Sequence, residues 1–207
     1  MDDIKRQQPE IVIKGGPRRR STLVDRADLG AVQARERIVR ILQGHDFDAV
    51  ERSFKELTEA DYPLVRLIAQ EGAASNFEPA VRYNAISVLG RVVPRENLNL
   101  LADLASFGED FYVRGHALLA LGMTGVYAAL PLIARHLTAP ERFEQLAAAR
   151  AIEALVRNSS EAAVRARMSV IDDPRQRALI EDIVARTAKG TPGREQKTLT
   201  EPRKTSE

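Results

Sequence analysis

Cysteine and tryptophan are both absent from the 207 residues, and aromatic side chains make up only 5% of them. Without cysteine the chain has no disulfide framework, no thiolate metal site and no thiol nucleophile. No apolar run approaches the roughly 18 residues that a membrane-spanning helix needs. No charged-then-apolar leader is present, and Arg19-Arg20 is not followed by the apolar stretch of a twin-arginine signal. These absences together predict a soluble, cytoplasmic protein. The patterns G-x-S-x-G, H-E-x-x-H, G-x-G-x-x-G and the P-loop are missing as well, which removes the usual local signatures of nucleophile, zinc and phosphate chemistry. The three histidines, His45, His116 and His136, have no second histidine within a helical turn, so neither a metal site nor a cofactor is expected.

What the chain has is a period. Val81-Arg82, Ala85 and Leu89-Gly90 recur as Val113-Arg114, Ala117 and Leu121-Gly122, each displaced by 32 residues. A weaker third copy places Ala147, Ala151, Ile152 and Leu155 at a displacement of 34 from Val113, Ala117, Leu118 and Leu121. A fixed period of this size marks stacked copies of one unit. Within each copy the apolar residues lie four apart, which puts them on one stripe of a helix. Gly90 and Gly122 then stand where a helix commonly ends in the left-handed region. A second helix follows in each copy, on Leu98, Leu101 and Ala105, then on Leu130, Ile133 and Leu137.

Helix starts fit this division. Pro79, Pro94, Pro140 and Pro174 suit first helical positions, Asp110 suits an N-cap, and Thr58 with Asp61 and Thr138 with Glu141 have capping-box spacing. Glu78 with Arg82 and Asp110 with Arg114 are acid-before-base pairs four apart. Upstream, apolar spacing predicts helices over 29–43, then on Phe47, Val50, Phe54 and Leu57, then on Leu64, Leu67 and Ile68. Downstream it predicts two closing helices over 159–170 and 174–188.

The segments E-P-A-V-R-Y-N-A-I-S-V-L-G (78–90), D-F-Y-V-R-G-H-A-L-L-A-L-G (110–122) and A-A-A-R-A-I-E-A-L (147–155) resemble HEAT repeats, and the V-R-x-x-A-x-x-x-L-G pattern is shared with HEAT proteins of the phycobilisome-lyase type. The resemblance covers residues 77–157. It implies an all-α fold, a short right-handed α-solenoid of helical hairpins used mainly to bind other proteins, and a ladder of acid–arginine contacts between units carried by Asp110 with Arg114 and, as a variant, Glu78 with Arg82. Two enzyme families of similar build fit poorly. Deoxyhypusine hydroxylases pair His-Glu dipeptides on successive repeats, whereas here Asp46, Ala117 and Leu137 follow the histidines. HEAT-like DNA glycosylases use a basic groove with tryptophan.

Outside the periodic region the composition changes. Residues 1–28 and 189–207 have little apolar content and read as disordered tails on a solenoid over 29–188. The tails each carry a net charge of +2, leaving 19 basic and 21 acidic residues in the core, so the basic pI of 9.0 comes from the ends. Ile11-Val12-Ile13 is a β-prone run, and Arg18 to Thr22 has the pattern of a basophilic kinase site.

The expected function is a non-enzymatic adaptor that binds a protein or peptide. If each second helix faces inward, Arg66, Asn99, Asp103, Arg135 and Arg165 line the concave surface, with Pro131 opposite Asn99. Phe107, Phe111 and Tyr112 offer a second patch, more naturally read as packing between units. The alternative is nucleic-acid binding helped by the basic tails.

Overall fold

The computed structural model describes residues 22–44, 47–71, 77–92 and 94–190. Every regular element among them is helical. In chain order these are α1 (Thr22–Leu42), α2 (Phe47–Glu56), α3 (Tyr62–Gln70), α4 (Pro79–Leu89), α5 (Pro94–Phe107), α6 (Phe111–Met123), α7 (Leu130–Arg135), α8 (Arg142–Asn158), α9 (Glu161–Arg167) and α10 (Pro174–Gly190), with short 3-10 turns before α3 and α7 and after α7 and α9. The chain divides into two compact units, Met1–Arg37 and Ile38–Glu207. The described part of the first is the N-terminal portion of α1, on which Val32 is exposed. α1 starts at Thr22, so residues 22–28 of the segment read as a tail are helical. Ile11-Val12-Ile13, Arg18 to Arg20, His45 and residues 191–207 lie outside the described residues. None of the described helices is long and apolar enough to cross a membrane.

The second unit is a stack of hairpins whose core is the repeat stripe. Val81, Ala85, Leu89, Ala117, Leu121, Ala151 and Leu155 are all fully or almost fully buried, as the four-residue spacing requires. Pro79, Pro94 and Pro174 each open their helix. Asp110 caps α6 by accepting from the Val113 amide at 2.8 Å, and the Asp61 carboxylate accepts from Thr58 N–H at 2.8 Å ahead of α3. Thr138, by contrast, ends a 3-10 turn, and α8 begins only at Arg142 behind Glu141, so the Thr138–Glu141 capping box and a helix start at Pro140 do not form.

The phase of the repeat differs from the sequence reading. α5 packs far more on α6 than on α4, and α3 packs on α4, so the hairpins are α3–α4, α5–α6 and α7–α8, with α9 and α10 following. A helix–turn–helix period looks the same whichever helix is counted first, so periodicity alone does not mark where a unit begins. The Val-Arg helices therefore close their hairpins, and α4, α6, α8 and α10 form one continuous row.

The two repeat glycines serve that row. Gly90 keeps a right-handed φ of −67° and Gly122 lies inside α6, so neither ends its helix in the left-handed region. A Cβ on Gly90 would stand 2.5 Å from the carbonyl oxygen of Ala120, and one on Gly122 would stand 2.4 Å from that of Ala151. Only a missing side chain lets these backbones meet. The left-handed turn falls at Gly125 instead, with φ +67° after α6. Consecutive helices of the other row, α5 and α7, make no comparable approach. A stack held closer along one row than the other curves toward the closer row, so α4, α6 and α8 lie on its inner side.

Arginines fasten the layers. Arg82 pairs with Glu109 and donates from Nε to the Ala69 carbonyl at 3.1 Å. Arg114 donates from Nε to Glu144 at 3.0 Å and from Nη1 to the Gly108 carbonyl at 2.9 Å. These contacts run to an acid at the start of the next helix of the same row, 27 and 30 residues on, while Asp110 serves as the cap of α6. The ladder between units is present, with its acids at Glu109 and Glu144. Burial pushes the Glu144 carboxyl up, but hydrogen bonds from Arg114 and His136 outweigh it and hold the group below its ordinary value. Burial also lowers the Arg82 guanidinium from its usual value.

Candidate functional site

A cleft of about 850 Å³ runs along the inner row. Its lining comes from α2 through Glu51, from α4 through Tyr83, Asn84, Ser87 and the following Arg91, from α6 through His116, Leu119 and Met123, and from α8 through Arg150, Glu153 and Arg157. These residues follow the repeat. Asn84, His116 and Arg150 occupy equivalent positions at displacements of 32 and 34; so do Ser87, Leu119 and Glu153, and so do Arg91, Met123 and Arg157. Positions three and seven residues apart lie on one helix face, so three helices side by side present a grid of three by three. The buried stripe repeats its residue types from unit to unit. The grid does not.

Hydrogen bonding fixes which atoms the grid offers. Both amide hydrogens of Asn84 are used, donated to the carbonyls of Leu42 at 2.8 Å and Gly44 at 3.0 Å, which leaves Oδ1 as an acceptor. The Ser87 hydroxyl donates its single hydrogen to the Tyr83 carbonyl at 2.9 Å, so its contact with His116 Nδ1 at 3.1 Å requires the imidazole to be the donor. His116 is then the Nδ1–H tautomer with Nε2 as acceptor. Burial lowers its pKa to about 4, against a smaller opposing pull from Asp110, so it is neutral at pH 7. The ring stacks on Tyr83 with centroids 5.0 Å apart and planes 4° apart. Burial also raises the Tyr83 phenol above its ordinary value.

At the two ends the charges are arranged differently. On α8, Glu153 accepts from Arg150 at 3.1 Å and from Arg157 at 3.5 Å; its side chain is 20% exposed while theirs are 71% and 60%. The carboxylate is covered and the guanidiniums face out. Near α2 the order reverses: Arg91 pairs with Glu51, and here the arginine is 23% and the glutamate 40% exposed.

The residues chosen from the sequence lie on the other row. Asn99 and Asp103 are exposed on α5, and Arg135 is exposed at the end of α7. Arg66 on α3 donates through Nε and Nη2 to Asn97 Oδ1 at 3.1 and 2.6 Å, and Asn97 in turn holds the carbonyls of Leu89 and Val92. Arg165 on α9 is bound to Glu161 at 2.9 Å and to Glu181. Pro131 sits in α7. None of these lines the cleft. The aromatic patch divides in two: Phe107 is 84% exposed, whereas Phe111 and Tyr112 pack with Tyr83, Phe143 and His116 in a cluster across α4, α6 and α8.

A family model described as HEAT repeats matches residues 69–155, the segment that holds the grid from Tyr83 to Glu153. Residues 69–155 are thus similar to HEAT repeats. A search of curated proteins by sequence finds no match. Among solved structures, the complex of CpcE and CpcF of phycocyanin lyase from Nostoc sp. PCC7120 is similar at 17% identity, covering 73% of this chain and 98% of that one, with a TM-score of 0.47. In these HEAT repeats the stripe builds the stack, and the positions between stripe residues differ from layer to layer.

Proposed function

We propose that this chain is a non-enzymatic adaptor that holds a segment of another protein in the cleft along α4, α6 and α8. The observation that carries the reading is the grid: equivalent positions that hold Asn84, His116 and Arg150, or Ser87, Leu119 and Glu153, give each layer its own chemistry. A surface that differs rung by rung suits an irregular chain of side chains. The apolar middle, Leu119, Met123 and Ala154, supplies area to bury, and the flanking polar atoms supply orientation.

Selection from a displayed peptide library against the full chain tests this, with every selected peptide re-measured on Ala154→Arg. That substitution fills the cleft from a partly exposed position and is expected to leave the melting temperature within a few degrees while abolishing binding. Peptides that bind the filled variant as well as the original would place docking elsewhere and sink the proposal.

A further inference from the structure

Resting on that adaptor reading, the chemistry of the cleft changes along its length in one direction. At the α2 and α4 end it accepts: the more exposed member of the Glu51–Arg91 pair is the carboxylate, and Asn84 has only Oδ1 to offer. In the middle it is apolar, with Leu119 and Met123, and carries one further acceptor in His116 Nε2. At the α8 end it donates, because Arg150 and Arg157 stand outside the carboxylate they share.

We infer that the cleft takes an extended protein segment of mixed charge, lying in one orientation, with an acidic side chain on Arg150 and Arg157, an apolar side chain on Leu119 and Met123, and a basic side chain at Glu51 and Asn84. The spacing follows from the stack. Helices in backbone contact at glycine sit about 8 Å apart, the short end of the usual range, so α4 and α8 are separated by roughly 16 Å. An extended chain advances about 3.3 Å per residue, which puts the acid and the base about five residues apart. A nucleic acid fits this surface less well, since its charge is uniform and Glu51 would meet a phosphate. A wholly acidic peptide meets the same carboxylate. Opposite charges at the two ends also forbid the flipped pose, because like charges then face each other at both ends.

The test is a set of fluorescein-labelled peptides of about eight residues, titrated into the full chain by anisotropy. The reference peptide carries glutamate and lysine five apart around leucine. The expected result is an affinity loss of about tenfold when its glutamate becomes glutamine, and about threefold when its lysine does. Arg150→Glu with Arg157→Glu should remove binding of the reference peptide, and Glu51→Lys should remove the preference for its lysine, with the melting temperature lowered by no more than a few degrees in either case. If a wholly acidic peptide or a single-stranded oligonucleotide binds at least as tightly as the reference and is blocked by Ala154→Arg, the mixed-charge assignment is overturned while the docking cleft stands. If binding ignores Ala154→Arg, the adaptor reading falls with it. Absence of binding by every peptide in the set overturns the assignment as well.

Discussion

The two helix rows of the second unit are built from similar apolar content and do different work. Along α4, α6 and α8 the backbones touch at Gly90 and Gly122, the arginine ladder ties each layer to the next, and the surface between the stripes is a lined cleft. Along α3, α5 and α7 the helices stand apart, and α7 is only six residues long. Close packing on one row makes a surface that holds its shape without a ligand, and a preformed site loses less entropy on binding than one that must order. The looser row covers the other side of the core.

The largest expected effect tests whether the rows differ in burial as described. Leu121→Ala on α6 should destabilise by about 2–5 kcal/mol, the range for emptying a packed leucine site. Leu67→Ala on α3, 48% exposed, should cost less than about 1 kcal/mol. Denaturant titrations of the two variants measure both. Equal losses would mean that the outer row is as tightly packed as the inner.

How much of this was legible in the sequence depends on what repeats. Val81, Ala85 and Leu89 and their copies 32 residues on are held by packing, so they recur and betray the helices, the layers and the core. The pairing of helices into hairpins was not legible, because a two-helix period has no preferred origin. That choice turns on contacts such as α5 on α6, and it moved the inner face from α5 and α7 to α4, α6 and α8. The ladder acids Glu109 and Glu144 were missed because they pair across layers, about 30 residues away, and not within a turn. The cleft residues were missed because a surface that differs from layer to layer shows only as a failure to repeat. Asn84, His116 and Arg150 stand at the same displacements as the stripe, and aligning the copies and reading the mismatched columns would have found them.

A second, smaller effect sharpens the argument about backbone contact. Gly122→Ala places a methyl group against the backbone of Ala151 and should cost about 1–3 kcal/mol. Gly30→Ala in α1, where a Cβ meets nothing within 4 Å, should instead stabilise by about 0.5–1 kcal/mol through helix propensity. Opposite signs in thermal melts separate glycine needed for contact from glycine merely present.

Acid should loosen the inner row through His116. Its folded pKa of about 4 lies below an unfolded value near 6.5, so the unfolded chain binds the extra proton first. The stability held by the neutral ring is present above pH 6.5 and is lost as the pH falls from there toward 4, amounting to on the order of 2 kcal/mol between pH 7 and pH 5. Glu144, depressed by its hydrogen bonds, adds a loss of the same sign at lower pH. His116→Gln should flatten the upper part of that profile. An unchanged slope between pH 7 and pH 5 would show that the ring is hydrated and not held between Tyr83 and Ser87.

The smallest effect on folding carries the sharpest contrast in function. Arg135 on α7 and Arg150 on α8 are both exposed arginines one hairpin helix apart, and reversing either to glutamate should change stability by no more than about 1 kcal/mol, because exposed charges contribute little to folding. Arg150→Glu gives up an exposed contact with Glu153 and sets a like charge beside it, and Arg135→Glu gives up a favourable charge at the end of a short helix. Their effects on an acid-bearing peptide should part completely: Arg150→Glu weakens it several-fold, more at low salt than at high, and Arg135→Glu leaves it unchanged. The paired measurement has the same charge change and a small folding cost on both sides, so a difference in affinity reports position. Loss of binding at Arg135 with indifference at Arg150 would put the partner on the α5 and α7 row.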